Sequence, residues 1–436
     1  MRGPALGRRG GRRDEPKVLF VYPRFEKYRQ ARPDLALLPA VAAVWDFTMP
    51  PSLAIPTLAA VTPPWVRWRV WDENVQGPPD GWEPDLAAIS YFTPQASSAH
   101  RLADEFRARG TAVVLGGMHP SLAPREAGRH GDAVCVGEGD LLWPRILSDF
   151  RDGALKKLYR GAPPGPEAIA GPKPGVFDPR LYDFSAEIVS WLRGCPFSCS
   201  WCGIPLYQGR RLRFRPAETV AAELRALAGR DVYAADDVLT LPRPDISDFV
   251  LRVLGLLDGA RVGLLVSGSP AMNRDPAFLD ALAGAGAKNV YVVFADDPAS
   301  RAFYSGEPSA REAARGLVGE IERRGMRFFA SFGLGYDHAG PGQVDDVLRF
   351  CAGAGVSLAE FFIATPYPGT PFRRRLRAEG RLPESSDWSR YNGAHVVFRP
   401  KGSTAQALSD EFSRAWRQFY RGRDVVRVPA APILES

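Results

Sequence analysis

The chain has 436 residues, 45% of them hydrophobic and 24% charged, an ordinary globular balance in a length that exceeds one typical core. No stretch approaches the ~20 apolar residues of a membrane-spanning helix, and the N-terminal arginines have no apolar run behind them to make a secretory signal. The net charge is +7, but five arginines (Arg2, Arg8, Arg9, Arg12 and Arg13) lie in the first thirteen residues, and the +2 left without them argues against a nucleic-acid surface.

Residues 1–15 read as a disordered basic tail. From Lys17 the pattern changes. Residues 17–22 are a short apolar run ended by Pro23, and similar runs follow at 67–71, 86–92, 112–115 and 133–136. Ala99, Leu102, Ala103 and Phe106 recur at helical spacing, with Gly110 placed to stop the helix. This alternation predicts βαβ units and a mainly parallel, Rossmann-like sheet over residues 16–155. Ligands of such sheets sit at the C-terminal strand ends. Gly116-Gly117 and Gly137-Glu138-Gly139 occupy two of those ends. Glycine lets a backbone approach a large flat ligand or turn sharply, so these are either a cofactor crevice or two tight turns.

Residues 156–183 read as a linker, with five prolines and four glycines between 161 and 175. A second strand–helix series fills 184–383. Its predicted strands are 187–192, 232–235, 262–267, 289–295, 327–333 and 358–365. The first helix between them starts at Pro216 and shows Val220, Leu224 and Leu227 on its apolar face. Six β/α units predict a partial (β/α)6 barrel, with chemistry at the C-terminal strand ends. Residues 384–436 read as a helical extension, with a helix near 409–420.

Three of the five cysteines stand in one loop after the first predicted barrel strand: Cys195-Pro-Phe-Ser-Cys199-Ser-Trp-Cys202. Cysteines so few and so clustered suit a reducing cytoplasm. A zinc site wants four ligands, usually two pairs, and no second pair exists. Three purely structural thiols in one surface loop are unusual, and a catalytic thiol needs one cysteine and a base. Cys195, Cys199 and Cys202 are therefore read as ligands to three irons of a cubane cluster whose fourth iron is open. Cys135 and Cys351 sit in apolar runs and read as small buried hydrophobes.

The loop resembles the signature of the radical S-adenosylmethionine (SAM) superfamily, Cys-x3-Cys-x-aromatic-Cys, with Trp201 as the aromatic. The resemblance implies a [4Fe-4S] cluster whose open iron chelates SAM, and one-electron cleavage to a 5′-deoxyadenosyl radical. Trp201 then either backs the adenine or packs the loop. Asp236-Asp237 either meets the methionine end of SAM or caps a turn. Ser267 and Ser269 are expected near the ribose. Where the superfamily usually has Glu near the end of the fourth strand, this chain has Phe294-Ala295-Asp296-Asp297, with Asp296 as the substitute. The segment from Thr365 to Pro371 resembles one common in the cobalamin-binding branch.

The first domain resembles the cobalamin-binding domain fused to many radical SAM enzymes. The matching pieces are residues 50–56, 72–75, 116–120 and 136–140. What this implies is a cobalamin site formed by Thr93, Gly116, Gly117, His119, Gly137, Glu138 and Gly139. The cobalt-ligating pattern Asp-x-His-x-x-Gly is absent, since Gly117 stands two residues before His119. The cobalt is therefore expected to lack a histidine on its lower face. One cysteine before the loop does not provide the second cluster of methylthiotransferases. The expected activity is C-methylation of an unactivated carbon in a small-molecule or lipid substrate, with an electron donor such as a flavodoxin or ferredoxin. An oxidative cyclisation or rearrangement, or a non-catalytic iron–sulfur sensor, are the alternatives.

Overall fold

Alternate residues of Lys17–Tyr22 (β1) face opposite ways: Val18 and Phe20 enter one apolar cluster, Leu19 and Val21 another. That is the period-two signature of a strand covered on both faces. β1 is joined by Arg67–Asp72 (β2), Leu86–Ser90 (β3), Ala112–Gly116 (β4), Ala133–Val136 (β5) and Leu158–Arg160 (β6) in a parallel sheet of order 2-1-3-4-5-6. The order reverses between β1 and β3, the place where doubly wound sheets open a crevice. The computed structural model describes residues 14–44, 53–182, 187–236, 238–340, 342–383 and 387–423. Most of the basic tail, residues 50–52 of one cobalamin-like segment, and Asp237 lie outside them. β6 extends the first sheet past the boundary expected at residue 155.

The second sheet opens with Glu187–Val189 (β7). A short antiparallel pair follows, Leu192–Arg193 (β8) with Arg213–Phe214 (β9). Then come Asp231–Ala234 (β10), Gly263–Gly268 (β11), Asn289–Phe294 (β12), Arg327–Leu334 (β13) and Leu358–Ile363 (β14). The parallel order 7-10-11-12-13-14 is the expected six-stranded partial barrel. The predicted first strand, 187–192, is cut short. Asp236 takes the N–H groups of Trp191 (2.9 Å) and Leu192 (3.0 Å), removing both donors from the ladder. The cysteine loop thus leaves from β8, not directly from a barrel strand.

Among the described residues, no helix is long and apolar enough to cross a membrane. The C-terminal helix, Ala405–Phe419, starts a turn earlier than expected because Thr404 caps it through Ala407 N–H. Its fully buried Trp416 packs edge-on against Phe361 of β14 at 5.6 Å. One crossing was not apparent in the sequence. Leu35, Ala40, Val41 and Val44 follow β1 in the chain, yet join the barrel core. Asp34 accepts a hydrogen bond from Ser413 Oγ (2.6 Å) and pairs with Arg32 (2.9 Å), fastening this segment to the C-terminal helix.

Candidate active site between the two domains

Both domains hold the cysteine loop. Gly194 opens it at φ 92°, where a Cβ would lie 2.3 Å from the Arg211 carbonyl oxygen, so a side chain is sterically excluded. Cys195 N–H donates to Gly209 O (3.1 Å). Ser200 N–H donates to Asp296 Oδ2 (2.7 Å), and Ser200 O accepts from Phe372 N–H (2.8 Å), the second residue of helix Pro371–Ala378. Cys195 is buried, Cys199 and Cys202 are half-buried, and no disulfide joins them. Burial, then the carboxylates of Asp297 and Asp296, push Cys199 up to about 12. A thiol in that setting becomes a thiolate when a cation replaces its proton. Beside it, Trp201 lies 6.1 Å from Phe362, and its buried Nε1 has no hydrogen-bond partner among the described residues. Three thiols and an orphan donor in one clasped loop fit a thiolate-held cluster with a polar ligand alongside.

The expected SAM-side residues divide. Asp236 spends both carboxylate oxygens on Trp191 and Leu192 N–H and on Ser190 Oγ, which is the turn-holding reading. Ser269 Oγ accepts Ala271 N–H (3.3 Å) within a turn, and the Ser267 carbonyl accepts from Thr240 Oγ1 (3.0 Å). Asp296 holds the loop through the Ser200 N–H. Burial works to raise it, yet hydrogen bonds from Arg301 and Ser200 hold it below the ordinary carboxylate range. Replacing Asp236 by Ala should leave two buried N–H groups unpaired, at about 1–3 kcal/mol each. Urea denaturation, with iron content as a second readout, checks this; unchanged stability contradicts it.

In the first domain the glycines also divide. Gly117, at φ 99°, would place a Cβ 2.8 Å from Tyr91 O, so the chain itself requires glycine there. Gly117→Ala is expected to cost about 1–3 kcal/mol of strain, read as a lowered unfolding midpoint, whereas Gly116→Ala, with nothing nearer than 3.7 Å, should be tolerated. Gly139 accommodates a Leu58 methyl, and Gly137, at φ 91°, faces Tyr207 O of the segment after the cysteines. Gly116 and Gly137 are the positions that leave backbone open.

Three other predicted cradle residues are placed differently. Thr93 and His119 have no exposed surface, and His119 Nδ1 lies 3.2 Å from Thr93 Oγ1. They underpin the crevice and offer it no face. Burial foremost pushes His119 down to about 3. Glu138 is a clamp: its carboxylate meets Arg193 (2.7 Å) and Arg213 (2.5 Å), while Asp140 also meets Arg193 (2.6 Å). These arginines flank the cysteine loop on β8 and β9, so the turn after β5 grips the pair that carries the cluster ligands.

Sequence reading missed a second polar group. Tyr291 of β12 and Ser331 of β13 both donate to Glu360 Oε1 of β14, Ser331 at 2.7 Å. Glu360 shares its strand face with Phe362, which meets Trp201, so this group lies inside the barrel on the cysteine-loop side. The available signal was one acid in the otherwise apolar strand Leu358–Ile363.

Residues 80–147 match the family model of the B12-binding domain. Over 392 residues the chain is 27% identical to the bacteriochlorophyllide d C-8(2)-methyltransferase of Chlorobaculum tepidum, covering 86% of each chain. It is 24% identical to the C-12(1)-methyltransferase of the same organism, covering 79% of this chain and 76% of that one. Among solved structures it superposes on the radical SAM methyltransferase TsrM of Kitasatospora setae, with cobalamin and a [4Fe-4S] cluster bound. The TM-score is 0.60 at 17% identity, over 92% of this chain and 82% of that one. The chain has the fold of the cobalamin-binding radical SAM enzymes. Within that fold, the cysteine loop, the Glu138 clamp and the two open glycines all lie where the first sheet faces the barrel.

Proposed function

We propose that this chain is a cobalamin-dependent radical SAM C-methyltransferase that acts on an unactivated carbon of a small-molecule or lipid substrate. The observation that carries this reading is the cysteine loop, three thiols joined in no disulfide beside an orphan indole donor, gripped from one side by a B12-binding domain. When bound, the [4Fe-4S] cluster, SAM and cobalamin supply the electron relay, the hydrogen-abstracting radical and the methyl carrier.

The protein's own residues position and shield. Cys195, Cys199 and Cys202 hold the cluster. Asp296 and Phe372 fix Ser200 within the loop, and Asp236 fixes the approach to it. Trp201, whose buried indole N–H has no partner among the described residues, would stand beside SAM. Gly116 and Gly137 let cobalamin approach the strand ends. Tyr291, Ser331 and Glu360 offer a hydrogen-bonding face to the polar part of the substrate. The apolar barrel around them keeps water from a radical. The helix Pro371–Ala378, whose second residue touches the loop, carries exposed Arg374 and Arg377. That face suits an acidic one-electron carrier of the flavodoxin or ferredoxin kind.

Anaerobic reconstitution with iron, sulfide and hydroxocobalamin, followed by methyl-labelled SAM and a strong reductant, tests the reading. About four irons and one cobalt per chain, 5′-deoxyadenosine, and label passing into cobalamin and then into substrate are expected. Deoxyadenosine without label transfer would establish cyclisation or rearrangement instead, and no deoxyadenosine would leave an iron–sulfur sensor.

A further inference from the structure

Three helices of the first domain bring His100, His119 and Glu126 together, with one ligand-type atom of each within 4.8 Å of the others. None of the three lies in the cysteine loop. His119 is completely buried, and its Nε2 has no hydrogen-bond partner among the described residues. An orphaned buried nitrogen of this kind costs about 1–3 kcal/mol, so it calls for an explanation. Nε2 faces Glu126 Oε2 at 4.0 Å. That gap is too long for a hydrogen bond. A tetrahedral ion with bonds of ~2.0–2.2 Å holds two ligands about 3.4 Å apart, so a side-chain shift of roughly half an ångström would close the pair onto one ion.

We infer that His100, His119 and Glu126 form a site for one divalent transition-metal cation of the zinc type, separate from the iron–sulfur cluster. Two imidazoles and a carboxylate are a ligand set that zinc takes, with a fourth position left for water or another donor. The atoms behind the ligands are already arranged. Thr93 Oγ1 sits 3.2 Å from His119 Nδ1, which leaves Nε2 as the metal-facing atom. Tyr91 OH sits 3.0 Å from His100 Nε2, and the His100 ring stacks on His130 at 4.1 Å. Trp388 Nε1 donates to Glu126 Oε1 at 2.6 Å, leaving Oε2 for the ion. Such outer contacts orient metal ligands and fix their tautomers.

Arg373 is held 4.7 Å over the Trp388 ring. Glu126, alone of the three, lines a cleft of about 310 Å³ together with Pro368, Gly369, Arg373 and Trp388, which gives the group one side that meets solvent. Through Trp388 an ion would tie the first domain to the C-terminal extension.

The test uses the full chain with its cluster loaded anaerobically, so that the three loop thiols are already engaged. The protein is equilibrated with zinc chloride and desalted, and zinc and iron are counted. About one zinc per chain is expected, with a zinc-dependent rise in melting temperature. Glu126→Gln keeps shape and a hydrogen bond to Trp388, and should weaken zinc binding at least ~tenfold without changing iron. His100→Gln should do the same. The inference is overturned if wild type retains no zinc, or if Glu126→Gln retains it equally and shows the same thermal shift. Either failure leaves the iron and deoxyadenosine results untouched.

Discussion

Glu138→Ala is expected to destabilise the chain by about 3–5 kcal/mol, because truncating one member of a buried ion network leaves a buried charge uncompensated. The Glu138 side chain is 4% exposed and its partner Arg213 8%. Arg193 keeps Asp140 as a partner when Glu138 is removed. Among the described residues Arg213 keeps the carbonyls of Pro164 (3.0 Å) and Gln208 (2.9 Å), which accept hydrogen bonds but carry no full charge. Most of the loss therefore falls on Arg213. Replacing both, Glu138→Met with Arg213→Leu, should recover much of it, since an apolar pair of similar volume needs no desolvation. Urea denaturation of the single and double variants decides the matter. A double variant as unstable as the single one would mean that the charges do more than compensate each other. Iron content should fall in the single variant, because β8 and β9 carry the two ends of the cysteine loop.

The second large effect is chemical. Cys199→Ala should leave the fold standing and reduce both bound iron and deoxyadenosine formation to background. Cys195→Ala and Cys202→Ala should behave alike, because three thiolates are the minimum that holds a cubane with one open iron. Cys135→Ala and Cys351→Ala are the controls. Both thiols are buried in apolar surroundings, and burial pushes each up to about 12, the setting of a small hydrophobe. These variants should lose some stability and keep iron. Iron and sulfide counts, with the absorption of anaerobic protein, separate the two groups. A triad variant that retained a full cluster would refute the assignment.

The sequence was informative where one residue type at one spacing has one physical use. Alternating strands and helices gave both parallel sheets, and the cysteine spacing gave the loop. Positions whose partner lies far along the chain were not readable. Glu138 looked like part of a glycine turn because Arg193 and Arg213, 55 and 75 residues on, were not known to face it. In sequence Asp236 reads as either a ligand contact or a turn, and Asp296 stands in for a family glutamate, because a carboxylate at a strand end serves a cofactor or a backbone equally well. Their backbone and hydroxyl partners, at Trp191, Leu192 and Ser200, appear only in three dimensions. Gly117, read for its place at a strand end, also has a second need for glycine in its close approach to Tyr91.

The crossing of the segment after β1 into the barrel core bears on how the protein is made. Leu35, Val41 and Val44 emerge early in translation, but the C-terminal helix that fastens their segment is the last described element synthesised. Asp34 and Ser413 are separated by 379 residues. At ~5–20 residues per second the ribosome needs on the order of tens of seconds to cover that interval. During this time the apolar stretch has no finished surface to rest on, which makes the nascent chain a natural client for chaperones. For the same reason, cutting the gene at the proline-rich linker should yield two fragments that are each less soluble than the whole.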